Sequence, residues 1–193
     1  MVNKICSNII IKLTKNGSFS VEDKEKMTFT LSLMLSDLSK IIILSLIFML
    51  LGNIKFFLIT FCISTILRIN IGGFHFKKYL SCLLFTSLYY LLLWGIHLST
   101  IPITVMFQLF IISLLIQLVL APVVSHQRET IRYPNKKIFK FKALLISIAT
   151  FSLYIINNNP YAKIGVWIVI IQSLLILPQK GVKLYEKNIK YSD

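Results

Sequence analysis

The sequence predicts an all-α polytopic membrane helix bundle of about six transmembrane helices, preceded by an interfacial amphipathic helix. Three observations carry that prediction. Hydrophobic residues make up 56% of the 193, and the mean hydropathy of +0.77 lies far above that of an ordinary soluble domain. Apolar runs recur near the roughly 20 residues that a helix needs to cross a ~30 Å hydrocarbon core. The basic residues gather between alternate runs, as membrane topology requires. One membrane-embedded domain over 1–193 is the simplest organisation, with 1–16 as the interfacial helix, about 29–178 as the bundle and 179–193 as a basic tail.

At the N-terminus, Val2, Ile5, Cys6, Ile9, Ile10 and Leu13 recur at helical spacing on one face, with Lys4, Asn8, Lys12 and Lys15 on the other. This is not the pattern of a secretory signal, because no small-residue cleavage site follows a compact apolar core. Gly17 ends the helix, and Ser20-Val21-Glu22-Asp23 has the pattern of a capping box whose acids suit the first turn of a second helix. That helix leads into the first span. Spans are expected near 29–51, 54–69, 79–98, 101–123, 141–157 and 161–178. Breaks fall at Gly52-Asn53, Gly72-Gly73, Ser99 to Pro102, Pro134-Asn135 and Asn157-Asn158-Asn159-Pro160. The second and fifth spans read as short. Asp37 and Lys40, at i, i+3, either pair within the membrane and mark an ion path or stay wet on an interfacial stretch.

Lys and Arg orient the bundle. The N-terminal segment, the second loop, the fourth loop and the tail together hold 18 of the 21 basic residues. The opposite turns hold Lys55 and Lys163, and Lys40 lies inside the first apolar run. Both termini are therefore expected on the cytoplasmic side of the cell membrane. The net charge of +14 is explained by this clustering at membrane edges, so a nucleic-acid partner is not expected. Only 4 Ala against 32 Ile, with many Lys and Asn, fits an AT-rich coding sequence of a low-GC Gram-positive bacterium.

Three widely spaced cysteines give neither a disulfide framework nor a CxxC metal site. His97 and His126 stand at opposite ends of the third and fourth spans, without an HExxH or paired-carboxylate pattern, so neither a metal nor another cofactor is expected. Cys6 and Cys62 have no nearby His and read as packing residues.

Cys82 and His75 read differently. Cysteine-protease chemistry needs a sulfur nucleophile and an imidazole that takes its proton and later returns it to the leaving amine. Cys82 falls in the first turn or so of the third span, where unpaired backbone N–H groups, the helix dipole and nearby Lys77 and Lys78 favour a thiolate. On one unbroken helix, positions 75 and 82 would be separated by about 10.5 Å along the axis, too far for contact. The helix is therefore expected to start after His75, with Gly72-Gly73 letting the preceding loop fold that imidazole back over Cys82. Arg68, at the end of the second span, either binds a peptide carbonyl or carboxylate or anchors at the headgroups. A packing cysteine and a solvated histidine remain the plainer alternative. A small transporter or channel, in which the Gly-Gly break lines a cavity, and a non-catalytic membrane scaffold are the competing classes.

The pattern Arg68-x-x-x-Gly72-Gly73-x-His75-x6-Cys82 resembles the AgrB family, the accessory gene regulator peptidases that mature quorum-sensing propeptides. Length, span count, the amphipathic N-terminus, Ala121-Pro122 before a basic loop with Pro134, and Leu177-Pro178 before a basic tail agree with it. The resemblance implies a membrane-embedded cysteine endopeptidase that cuts the C-terminal part from a short AgrD-like propeptide and cyclises the rest as a thiolactone or lactone. Cys82 corresponds to the nucleophile and His75 to the base, with Arg68, Gly72 and Gly73 supporting the site. The lipid bilayer is a second partner, and the sequence leaves open whether the protein works as a homodimer. Arg128, Arg132, Lys136, Lys137 and Lys140 would hold the acidic fragment of the propeptide, although the same charges serve topology. Family members often carry a carboxylate six residues before the proline that matches Pro178, where this chain has Gln172.

Overall fold

The computed structural model describes residues 2–14, 17, 19–72, 79–123, 135–157 and 159–178. Among them are seven helices and no strand. They are α1 (Val2–Leu13), α2 (Val21–Leu50), α3 (Ile54–Ile71), α4 (Tyr79–Leu98), α5 (Ile103–Leu120), α6 (Lys136–Asn157) and α7 (Pro160–Leu174). Six helices, α2 through α7 with the last prolonged to Pro178, are long and apolar enough to cross a membrane. The chain is a multi-pass membrane protein.

Two compact units divide the chain, Met1–Asn53 and Ile54–Asp193. In the first, α1 packs on α2. The buried side of α1 is the i, i+4, i+8 stripe Cys6, Ile10 and Thr14, whereas Ile9 and Leu13 are exposed. The apolar face read from the sequence is thus split between protein and surroundings. Ser20 caps α2 as its sequence foretold: its hydroxyl accepts the Asp23 N–H at 3.1 Å and donates to the Asp23 carboxylate at 2.7 Å. At the far end the Asn53 N–H reaches the Phe48 carbonyl and the Gly52 N–H the Met49 carbonyl, with Gly52 at φ 68. That is a Schellman stop, which favours glycine at the left-handed position. The 30 residues of α2 extend about 45 Å, more than a ~30 Å core, so the helix runs on past the apolar layer as one piece. Asp37 and Lys40 pair on it at 2.9 Å.

In the second unit α7 is central and packs on α3, α4, α5 and α6. Its residues Ile164 to Ile170 are buried without a break, the signature of a helix covered on all sides. Asn159 caps it by accepting the Tyr161 N–H, and Pro160 occupies the first helical position, where a missing N–H costs nothing. Polar contacts hold α7 to its neighbours, as expected where lipid is as apolar as the side chains. Gln117 on α5 donates to the Ser173 hydroxyl on α7 at 2.8 Å, and its carbonyl accepts from Ser147 on α6 at 3.0 Å.

Besides the early start of α2 and the two added residues that end α3 at Ile71, two spans differ from expectation for identifiable reasons. Helix α5 is trimmed to Ile103–Leu120 because Pro102 and Pro122 exclude the residues before them from helical geometry, and Ala121 is extended. Helix α6 starts at Lys136 rather than at 141, so the fifth span has 22 residues and is not short. Lysine stems run along apolar surface while the ammonium stays wet, which lets basic residues open a membrane helix.

Candidate active site

Arg68 stands in the last turn of α3, and Cys82 in the first turn of α4. Between these two positions, 73–78 lie outside the described residues, and with them Gly73 and His75. Cys82 is buried, and its carbonyl accepts the Thr86 hydroxyl at 2.7 Å. None of the three cysteines is in a disulfide, and Cys62, by contrast with Cys82, is exposed on the outer side of α3.

Gly72 has a structural reason to be glycine. Its φ of 91 is disfavoured for other residues, and a Cβ there would land on the Val123 carbonyl oxygen. The Val123 N–H donates to the Ile71 carbonyl at 3.0 Å, and Gly72 and Val123 form an isolated parallel bridge. The end of α3 is thereby tied to the segment that follows α5. In the sequence reading, Gly72 supplied only flexibility for a fold-back; in the structure it is the point where two backbones meet.

Deeper by about one turn from Arg68 lies a polar cluster. The Ser64 hydroxyl on α3 and the Tyr89 hydroxyl on α4 are 3.1 Å apart. Gln172 on α7 donates from Nε2 to the Ser64 carbonyl at 3.0 Å and to the Tyr89 hydroxyl at 3.2 Å. The orientation of this amide follows from chemistry: a backbone carbonyl only accepts, so the NH2 must face Ser64. Gln172 Oε1 then points away from both and has no hydrogen-bond partner among the described residues, although the residue is 8% exposed. A buried acceptor left empty costs about 1–3 kcal/mol. In the sequence Gln172 stands out only as a departure from a carboxylate, and Ser64 and Tyr89 do not stand out; polar residues inside apolar spans are the available signal.

The other expected binding residues divide. Arg128 and Arg132 lie outside the described residues, as does His126. Lys136 and Lys137 are exposed on the first turn of α6, and Lys140 donates to the Leu118 carbonyl at the end of α5 at 2.6 Å. That carbonyl has no intrahelical donor, so Lys140 serves as a cap for α5. Lys137 and Lys142 border a shallow groove floored by Ile138, Phe141, Leu145 and Ile146. His97, at the other end of α4, packs its ring between Phe56 and Tyr161 at centroid distances of 5.0 and 5.9 Å.

Comparison with known proteins shows which family the chain is similar to. The chain is 32% identical over 193 residues to an AgrB-like protein of Clostridium beijerinckii, covering 98% of this chain and 96% of that one. No solved structure matches it. The profile of the accessory gene regulator B family matches residues 6–176, which takes in α1 from Cys6 onward, the Arg68 to Cys82 motif and all but the end of the last span, and the chain accordingly belongs to the AgrB family.

Proposed function

We propose that the protein is a membrane-embedded cysteine endopeptidase that cleaves the C-terminal part from a short quorum-sensing propeptide and cyclises what remains. The observation that carries this reading is Cys82, buried in the opening turn of a membrane helix directly after the family's Arg, Gly-Gly and His positions. His75 takes the Cys82 proton as the sulfur attacks the propeptide carbonyl. The tetrahedral intermediate collapses, the imidazolium passes its proton to the leaving amine, and the acidic C-terminal fragment departs from a thioester on Cys82. Backbone N–H groups at the start of α4 are suited to hold the oxyanion.

Ring closure follows when a substrate Cys or Ser side chain attacks the thioester, its proton returning through His75 to the Cys82 sulfur. With a substrate thiol, one thioester is exchanged for another and the step is nearly balanced. Hydrolysis would discard the energy needed for closure, so water must be kept away, and burial of Cys82 supports that requirement. An amphipathic substrate helix lying in the interface would raise the local concentration of the reacting groups. Lys136 and Lys137, beside the apolar groove of α6, are the residues best suited to an acidic tail, with both termini of the enzyme on the same cytoplasmic side.

Mass spectrometry of a propeptide co-expressed with the intact protein, Cys82→Ala and Cys62→Ala tests the reading. Cleavage is expected to vanish only with Cys82→Ala, and cyclisation to appear as a product one water lighter than the cleaved linear peptide. Cleavage that survives without Cys82 would favour a transporter or scaffold instead. Charge reversal at Lys136 and Lys137 is expected to weaken processing more at low salt than at high salt; unchanged processing removes them from the substrate site.

A further inference from the structure

We infer that Gln172 is a substrate-positioning residue whose Oε1 accepts a backbone N–H of the propeptide about two residues from the carbonyl that Cys82 attacks. This rests on the peptidase reading above.

The acceptor is built rather than incidental. The Gln172 NH2 donates to the Ser64 carbonyl and to the Tyr89 hydroxyl, and the carbonyl, which can only accept, holds the amide in one orientation. Its oxygen is neutral, can only accept, and among the described residues is left without a partner, in a residue that is more than nine-tenths buried. An extended peptide entering an apolar site has the matching need, because every N–H it brings out of water must find an acceptor.

Depth also fits. Tyr89 follows Cys82 by seven positions on α4, about 10.5 Å along the axis. Helical side chains lean toward the N-terminus, which returns the Tyr89 hydroxyl several Å toward the turn of Cys82. The Gln172 amide that it contacts is therefore on the order of 7 Å deeper than the sulfur, and an extended chain covers that in about two residues at 3.3–3.6 Å each. On the α3 side, Ser64 lies one turn, about 6 Å, below Arg68. A strand of substrate passing from Arg68 toward Gln172 would run along the α3–α4 seam beside Cys82. Recognition through a backbone N–H reads chain position and not side-chain identity.

Backbone-ester substitution tests this, because an ester removes one N–H and keeps the shape of the chain. Propeptides with each amide flanking the scissile bond replaced in turn, the scissile amide excepted, are processed by the full-length protein in vesicles. For the wild type one ester is expected to lower kcat/KM by roughly tenfold. Gln172→Met should lower kcat/KM of the all-amide propeptide by a similar factor, and that same ester should then cost nothing further. A flat scan in the wild type overturns the proposal, and that scan needs no variant to fold. An ester penalty retained in full in Gln172→Met overturns it as well. So does a Gln172→Met loss that appears as a shifted pH profile of kcat with a flat scan, because the acceptor would then serve an imidazole. Cys82→Ala run in parallel keeps the two readings apart: processing without Cys82 removes the peptidase reading itself, whereas its loss beside a flat scan removes only the role of Gln172.

Discussion

Gln172 and Ser173 are neighbours on α7, yet they face different neighbours and end in different chemical states. On the Ser173 side, Gln117 has partners for both Nε2 and Oε1; Ser173 passes its own proton to the Val169 carbonyl, and Ser147 shares its single hydroxyl proton between Gln117 Oε1 and the Ala143 carbonyl. On the Gln172 side the NH2 is engaged by α3 and α4 while Oε1 has no partner among the described residues. A satisfied interhelical network adds stability and fixes helix register, and a half-satisfied one costs stability. One flank of α7 therefore holds the bundle together, and the other keeps an acceptor in reserve.

Removing the two glutamines one at a time should separate holding from binding. Gln117→Leu breaks both interhelical contacts at once and leaves Ser147 and Ser173 only their own-helix carbonyls. A loss of about 2 kcal/mol is expected, since single interhelical hydrogen bonds in membranes average ~0.6 kcal/mol and a reshaped core adds to that. It would be read as a melting temperature in detergent lower by several degrees. Gln172→Met should lower stability by less than about 0.5 kcal/mol, because it also removes an unsatisfied acceptor. Equal losses for the two variants would mean that the two flanks do the same work.

Ser147→Ala is the finer probe of the Gln117 side. It leaves Gln117 Oε1 without its α6 donor and disturbs little volume, so about 0.6–1 kcal/mol is expected in the same melting measurement. In the background of Gln117→Leu the same change should cost almost nothing, because the interaction is already gone. Additive losses would place the value of Ser147 in its bond to the Ala143 carbonyl instead.

The contrast between flanks also marks what could be read from sequence. The spans were legible because a helix must carry about 20 apolar residues across the core, and α4 has the predicted bounds of 79 and 98. Boundaries went astray where a single residue outweighs hydropathy, as Pro102 and Pro122 do for α5 and the snorkelling lysines do for α6. Cys82 was legible as the residue opening a helix after a Gly-Gly break. The polar clusters were not. Ser64, Tyr89 and Gln172 are separated by 25 to 108 positions, and Gln117 by 30 and 56 from its partners, so only packing among helices brings them together. The contact of Lys140 with the Leu118 carbonyl was hidden for a related reason: the acceptor belongs to another helix, 22 positions away.

Tyr89→Phe gives the smallest and most discriminating effect. It removes the hydroxyl that joins Ser64 to Gln172 but keeps the ring, whose edge meets Tyr90 at a centroid distance of 5.1 Å. Gln172 retains the Ser64 carbonyl, which alone still requires its NH2 to face α3 and its oxygen to point away. The acceptor is then correctly presented but held at one point instead of two. Stability should fall by about 0.5 kcal/mol, and processing by about threefold, less than with Gln172→Met. A loss as complete as that of Cys82→Ala would give the Tyr89 hydroxyl a direct part in the chemistry, and the reserve on this flank of α7 would then belong to α4. No loss at all would mean that the Ser64 carbonyl suffices to aim the amide, so that the whole burden of positioning rests on a single bond between α3 and α7.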